Sequence, residues 1–353
     1  ISTWWYWDHF FKGNRFMSKP LEGLRVIELG QLLAGPFAGC MLGYFGAEVI
    51  KIEPPGGDPI RNWREVKDGT SLWWRSLGRN KKCISLNLRT EAGRDIVKEL
   101  LKTADVVVEN FRPGVLESWG LDPVSLQADN PDLIYARISG YGQTGPYAEK
   151  AGFASACEAI SGFRFVNGYP GEAPVRPNLS IGDTVSGLHA VIGILMALRA
   201  KDEANKVGKS GGQVVDVALY ESMFNLLEAV IPEYDGAGVV RQPSGTTVTG
   251  IVPTNTYKCA DDKFIVIGGN GDHLINLTGD APICCEIDKN RPFRARRLQQ
   301  SLRIRLTLNG AVGSIVLTVT CLSRYQHPNL TNTPHYAERT QQQQNPLYPA
   351  RLK

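Results

Sequence analysis

The chain has neither an even number of cysteines nor a regular cysteine spacing: its seven stand at positions 40, 83, 157, 259, 284, 285 and 321. That excludes a disulfide framework and a zinc-finger pattern, and makes an intracellular reducing compartment the simpler setting. Histidine is scarce, five in 353 residues, and no Ser-His-Asp or metal constellation forms locally around any of them. Neither sign of charge dominates: 39 Lys and Arg against 35 Asp and Glu leave +4, which selects no partner. The arginine-rich run at 291 to 305 belongs to no recognised binding module, so a solvated face or tail is favoured over nucleic-acid binding. Gly30 and Gly35, at the first strand-to-helix turn, do not make GxGxxG, and GxxxxGK[ST] is absent, leaving little support for NAD binding or nucleotide hydrolysis. No solenoid or collagen-like period runs through the chain. The aromatic start, ISTWWYWDHFFKGNRF, is too short for a spanning helix and lacks the basic opening of a secretory signal, so no membrane partner is expected. Met17 is a candidate natural start.

What remains suits a large α/β domain with a second, smaller unit: 38.8 kDa, 42% apolar residues, 21% charged, and many turns from 37 Gly and 21 Pro. The stretch LRVIELGQLLAGPFAGCMLGYFGAEVIKIEPPGGD changes period twice. It predicts a strand at about 24 to 29, a small-residue helix at about 34 to 45 and a strand at about 48 to 53, a β-α-β unit with parallel strands. Further strands are expected within 104 to 111 and 132 to 142, with a helix over 91 to 103 between them. Asp183 heads an apolar run that predicts a mostly buried helix, residues 213 to 231 read as a strand running into a helix, and 263 to 273 as a strand ending in a glycine loop. After about residue 280 the rhythm is lost, apart from one β-prone patch, GSIVLTVTCL. The Gln-rich ending favours a flexible terminus.

Several residues sit where chemistry is possible. Gly30 and Gly35 flank the first strand-to-helix turn, where backbone donors are open to a phosphate, although tight packing explains them as well. Glu53 is either a ribose-binding acid or an exposed strand-end charge. Asn110 and Arg112 follow a strand end, and the rigid fork of Arg112 suits a phosphate, a carboxylate or an ordinary salt bridge. The glycines of SGYGQTGPY allow backbone amides to line a pocket. His189, inside the apolar helix, reads as a packing histidine, and His273 as part of a loop. Asp183 by itself reads as a helix N-cap; the same position also suits an ionised nucleophile, because the helix dipole favours the anion.

Five strings occur in order: VIELGQLLAGPFAGCMLGYFGAEVIKIEPPGGD, RNKKCISLNL, ENFRPGVLESWGL, YARISGYGQTGPY and PNLSIGDTVSGLHAVIGILMAL. Together, over residues 20 to 275, they resemble the class III CoA-transferases, the group named for carnitine and bile-acid CoA-transferases, with a leaning toward the succinyl-CoA:glutarate branch. The resemblance implies an α/β fold with a Rossmann-like parallel sheet in a large domain, a smaller second domain, and an interlocked homodimer. It implies no tightly bound cofactor and no metal; a coenzyme A thioester is the substrate. Asp183 falls on the family's nucleophile, which attacks an acyl-CoA to form an aspartyl anhydride, then an aspartyl-CoA thioester, before a second carboxylate takes over. CoA is implied against Gln31, Leu33 and Ala34, with Asn110, Arg112 and Ser139 along its wall. Gly268 and Gly269 match a mobile glycine loop that closes over the acyl intermediate and limits hydrolysis.

Gln31, Leu33, Pro54 and Ser139 replace the histidine, glutamine, arginine and lysine of formyl-CoA transferases, which weakens a formate or oxalate assignment and favours a dicarboxylate such as glutarate. Arg176 is a candidate for its remote carboxylate, or a surface ion pair. Phe153 stands where related α-methylacyl-CoA racemases carry histidine, which argues against racemisation; an inactive CoA-binding homologue is the other alternative. The implied domains are an N-terminal extension (1 to 19), a CoA-binding domain (20 to 225), a linker and the start of the smaller domain with the glycine loop (226 to 280), and an irregular tail (281 to 353), so the C-terminus reads as incomplete or aberrant. The compartment is left open between cytoplasm and mitochondrial matrix.

Overall fold

The computed structural model describes residues 19–251, 254–268, 302–308 and 315–321. The extension at 1–18, the glycine loop from Gly269 onward and the Gln-rich ending lie outside the described residues. The chain divides into two compact units, residues 1–245 and 246–353.

The first unit is built on six parallel strands: β1 (Arg25–Glu28), β2 (Glu48–Glu53), β3 (Lys81–Ser85), β4 (Val106–Glu109), β5 (Ile134–Ser139) and β6 (Val214–Ala218). Their spatial order is β3-β2-β1-β4-β5-β6. This is the doubly wound order, in which the chain reverses direction across the sheet between β1 and β4, and the loops leaving those two strands flank a crevice. The strand expected at 48 to 53 forms over those residues, the other expected strands form shorter than read, and the strand at Lys81–Ser85 was not anticipated.

Side chains alternate across the sheet with the two-residue period of a strand. Val26, Val106 and Val108 face one core with Ile134, Ala136 and Ile138. Ile27, Val107 and Tyr135 face the other, against Val97 and Leu101. Both faces are covered, which is why these strands read as continuous apolar runs. Helix α1 (Ala34–Tyr44) and helix α4 (Ile181–Lys206) supply the first cover; α2 (Glu91–Leu101), capped by Thr90 Oγ1 accepting from Gly93 N at 3.3 Å, supplies part of the second. Between them in sequence lies the short α3 (Ala154–Ile160), and α5 (Leu219–Phe224) and α6 (Val230–Ala237) follow β6.

Helix α4 differs from the mostly buried helix expected of its composition. It is long and apolar enough to cross a membrane, yet in this unit it packs one face on the sheet and its neighbours. That face carries Gly182, Ser186, Gly187, Ala190, Ile194, Ala197 and Lys201, while Leu188, Ile192, Leu195 and Met196 are exposed. Close approach depends on glycine: a methyl group on Gly187 would lie 2.9 Å from the carbonyl of Ala34, and one on Gly193 2.6 Å from Val215 Cγ1.

The second unit holds β7 (Thr254–Lys258), β8 (Phe264–Gly268), β9 (Leu302–Leu308) and β10 (Ile315–Cys321) in one sheet of order β9-β10-β8-β7. Strands β7 and β8 form an antiparallel hairpin, β8 runs parallel to β10, and β9 pairs antiparallel with β10 along seven registered positions. The GSIVLTVTCL patch thus yields the expected strand, and LRIRLTL, part of the basic run read as a solvated face, forms its partner.

Helix α1 carries glycines at 35, 39 and 43, one every turn on the face toward the sheet. A methyl group on Gly39 would stand 2.0 Å from the carboxylate of the buried Glu28. Gly39→Ala is therefore expected to destabilise the protein by about 1–3 kcal/mol through overpacking, although Gly→Ala in an open helix stabilises by roughly 1 kcal/mol. The urea midpoint of the variant checks this; an unchanged or raised midpoint contradicts the packing described.

Candidate functional site

The crevice at the crossover is shaped by charges that the apolar strand pattern hides. Glu28 on β1 and Lys51 on β2 are direct register partners, and both are fully buried. Lys51 Nζ donates to Glu28 Oε1 at 2.8 Å and to the Gly30 carbonyl at 2.7 Å, and lies 2.9 Å from Asp58 Oδ2. Burial pulls the lysine pKa down, but Glu28 and Asp58 outweigh it and hold the ammonium above its ordinary value. Lys81 Nζ stands 2.7 Å from Glu28 Oε2, an ionic contact without good hydrogen-bond alignment, and donates to the Pro36 carbonyl at 2.6 Å.

These charges fix the turn between β1 and α1. Asp58 accepts from Leu32 N with both oxygens, at 3.1 and 3.2 Å, and so holds Leu32 at a φ of 63°. A left-handed leucine costs roughly 1–2 kcal/mol and persists only where its surroundings enforce it. From the other side Asn110, at the end of β4, clasps Gln31: its Oδ1 accepts from Gln31 N at 2.7 Å and its Nδ2 donates to Gln31 O at 2.9 Å. Gly30 must be glycine because a methyl group there would meet Asn110 Oδ1 at 2.8 Å. Leu33 packs partly buried beside Ile60, Trp74 and Leu77, and Ala34 is buried at the helix start.

The loop after β4 is held in the same way. Glu109 accepts from Arg137 Nε and from Phe111 N, both at 2.7 Å, while Glu117 takes Arg137 Nη1 at 2.6 Å. Burial pushes Glu109 up to about 7 even though Arg137 opposes the shift. Arg112, next along, is exposed. Glu53 fits neither sequence alternative: it is buried, gripped by both Arg61 Nε and Nη2 at 2.7 Å, and accepts from Asp58 N at 2.8 Å. Its carboxylate is spent on the loop that delivers Asp58.

Asp183 lies in the first turn of α4, whose first helical residue is Ile181 and whose N-cap position is Ser180. It is thus the third residue of the helix and not the cap. Capping comes instead from another helix: Glu158 Oε1, on α3, accepts from Gly182 N at 3.3 Å. Glu158 is fully buried and also takes Arg164, at 3.3 and 3.2 Å, and Arg176 Nε at 3.2 Å. Arg176 is therefore an ion-pair partner of a buried carboxylate and still partly exposed. Asp183 is pushed up to about 6, first by burial and then by Glu158, with Arg176 pulling the other way.

The helices bring these parts together. One turn after Asp183, Gly187 rests on the Ala34 carbonyl, so the carboxylate helix sits against the clasped turn. Gly182 approaches Ala154 of α3, where a methyl group would come within 3.1 Å. Ser139, buried at the end of β5, accepts from Gln143 Nε2 at 3.3 Å, and the following Gly140 crosses Gly152 so closely that a methyl group would be 2.5 Å from its Cα. Beside this crossing a cleft of about 310 Å³ is walled by Tyr141, Tyr147, Ile160 and Tyr220; Asp183 is not one of its walls.

Of the expected site residues, the structure thus gathers Gln31, Leu33, Ala34 and Asn110 at the crossover, and α4 packs on Ala34 through Gly187, one turn after Asp183. Gly268 ends β8 in the second unit, and Gly269 lies outside the described residues. His189 is satisfied, with the Val185 carbonyl at 2.9 Å from Nδ1 and the Asn225 amide at 3.2 Å from Nε2. No group of three or more His, Cys, Asp or Glu side chains placed to hold a metal occurs among the described residues. Sequence reasoning missed Lys51, Asp58 and Glu158. For Lys51 the available signal was charge inside strands: RVIE buries Glu28, and EVIKIE buries Lys51 and Glu53, in otherwise apolar patterns; Asp58 and Glu158 lie outside the strands and gave no such signal.

Comparison with known proteins identifies the family and the fold. The profile of CoA-transferase family III matches residues 21–311. Succinyl-CoA–D-citramalate CoA-transferase of Chloroflexus aurantiacus is 47% identical over 265 residues, covering 74% of this chain and 65% of its own. Human succinyl-CoA:glutarate CoA-transferase is 39% identical over 261 residues, 73% of this chain and 58% of its own. Identity therefore does not single out the glutarate enzymes. The crystal structure of a CAIB/BAIF family protein from Brucella suis superposes with a TM-score of 0.66 at 36% identity, covering 74% of this chain and 69% of that one. The chain spans somewhat less than two thirds of the length of the curated relatives it matches, at 65% and 61% of the first two. With its fold, its ordered motifs and these matches taken together, the chain belongs to CoA-transferase family III.

Proposed function

We propose that this chain moves coenzyme A between carboxylic acids, with Asp183 as the carboxylate that accepts the acyl group. The observation that carries the reading is the setting of Asp183: a half-buried carboxylate in the first turn of α4, pushed up to about 6, one turn before the glycine that rests on the Ala34 carbonyl. Raised basicity and partial desolvation make a carboxylate a better nucleophile, while the positive end of the helix keeps it anionic at neutral pH. Attack on the thioester carbonyl forms the Asp183 mixed anhydride and expels CoA thiolate. The thiolate then attacks the aspartyl carbonyl, which gives the aspartyl-CoA thioester and releases the donor acid. An incoming carboxylate repeats the two exchanges in reverse, and no histidine base is needed.

CoA is proposed to run across the crossover. The turn at Gln31 to Ala34 forms its floor, exposed Arg112 meets anionic phosphate, and Ser139 lies toward the reacting end. Since the amide of Asn110 is occupied by Gln31, its contribution is the shape of that floor. Gly268 and Gly269 are proposed to close over the acyl enzyme. For the acids, we favour dicarboxylates with succinyl-CoA as donor: relatives are named for citramalate, malate and glutarate, and the partly exposed Arg176 offers a cation for a remote carboxylate. The apolar residues that α4 leaves exposed support an assembly in which a second copy covers them, as the interlocked homodimer requires.

Incubation with succinyl-CoA and a panel of acids, followed by mass analysis of the acyl-CoA products, tests the activity; no new acyl-CoA with any acid leaves a CoA-binding homologue without turnover. The rate is expected to rise with pH through about 6 and level off above it, as Asp183 ionises. A rate independent of pH between 5 and 8 contradicts the role given to Asp183. Asp183→Asn removes transfer and at the same time stabilises the fold at neutral pH. The folded pKa lies above the ordinary 3.8, so ionisation costs stability progressively between those values and fully above about 6. The gain at pH 7 is expected to be roughly 1–3 kcal/mol, read as a higher urea midpoint that converges with the parent below pH 4.

A further inference from the structure

Glu158 is the carboxylate that the proposed chemistry does not use. It is completely buried, yet it is held by two arginines from the segment between α3 and α4 and by the first-turn amide of Gly182, one residue before Asp183. Arg164 is itself anchored, since its Nη2 also donates to Ser155 Oγ at 2.5 Å. Glu158 therefore joins three separate pieces of chain: α3, the Arg164 to Arg176 segment, and the start of α4. The groups acting on Asp183 are Glu158 from α3 and Arg176 from the loop, while Cys157, also on α3, is itself raised by Asp183 and Glu158 together with burial.

We propose that Glu158 is a positioning residue: its buried carboxylate fixes the first turn of α4 and aligns Arg164 and Arg176, setting both the orientation and the charge environment of Asp183. The inference deepens the reading of Asp183 as the reactive group and rests on it for its functional meaning. Its physical content stands alone. A buried charge so fully engaged opposes a second negative charge nearby, and Arg176, tied to Glu158 through Nε, answers it. The result is a carboxylate more basic than an ordinary aspartate but still ionised at neutral pH.

Three variants of the full chain, Glu158→Gln, Glu158→Ala and Arg176→Gln, test this without requiring turnover. The readout is the pH midpoint at which Asp183 is esterified by a small water-soluble diazo compound, which reacts with the protonated carboxyl, followed by peptide mass. Glu158→Gln keeps an acceptor for Gly182 N and loses the charge, so the midpoint falls from about 6 by about one unit or more. Arg176→Gln moves it the opposite way. In Glu158→Ala, amide exchange at Gly182 and the residues after it accelerates about tenfold or more, an effect the Gln variant lacks. A midpoint unmoved in both Glu158→Gln and Arg176→Gln overturns the proposal, and so does a shift of the same sign in both. If the midpoints move as expected while no acid yields a new acyl-CoA, the nucleophile reading fails and the positioning role of Glu158 stands.

Discussion

The buried ammonium of Lys51 is the constraint on which the first unit depends. A lysine inside a parallel sheet is costly unless its charge and its donors are all answered, and here Glu28, Asp58 and the Gly30 carbonyl answer them. Each partner has a second task. Glu28 also meets Lys81 and demands a glycine above it on α1; Asp58 also takes the Leu32 amide and forces the left-handed turn; Gly30 begins that turn. Removing one member of such a buried set typically costs about 3–5 kcal/mol, because the others are left as unpaired charges. The turn is therefore preorganised by the sheet itself, before any ligand arrives.

From that rigid floor the rest of the site follows by packing. Asn110 closes the turn from the neighbouring strand, and Gly187 lets α4 settle on Ala34. Asp183 is carried to the same region by the first turn of that helix. Its partial burial destabilises the ionised form and makes the carboxylate more basic than an ordinary aspartate. Buried ion pairs recur through the unit, at Lys51, at Glu109 with Arg137 and at Glu158 with its arginines, and each one ends where a loop of the crevice begins.

Much of this was legible in the amino acids, and what was not has a common cause. Periodicity located the strands and helices because parallel strands buried on both faces are nearly all apolar, and the β-α-β stretch at the start showed which way they run. The ordered strings pointed to the family and to Asp183. Local reasoning misplaced two things: it made Asp183 a cap, where the helix starts two residues earlier at Ile181, and it gave α4 a mostly buried surface, where one face packs and the other is exposed. Glu158 was invisible because its partners are 6, 18 and 24 positions away, at Arg164, Arg176 and Gly182, and no local pattern couples them. Lys51 and Glu28 were visible as charges in apolar strands, but their pairing is a register fact, and register emerges only when β1 and β2 are laid side by side.

The chemistry assigned to Asp183 leaves a permanent trace in its oxygens. One aspartyl oxygen departs with the donor acid when CoA attacks the aspartyl carbonyl, and one oxygen of the incoming acid stays behind when its own carbonyl is taken by CoA. A single turnover with an acceptor whose carboxylate carries heavy oxygen, followed by digestion and mass analysis, should therefore find one labelled oxygen in the peptide that contains Asp183 and in no other. Transfer that proceeds while that peptide remains unlabelled would contradict the covalent route and the place given to this carboxylate.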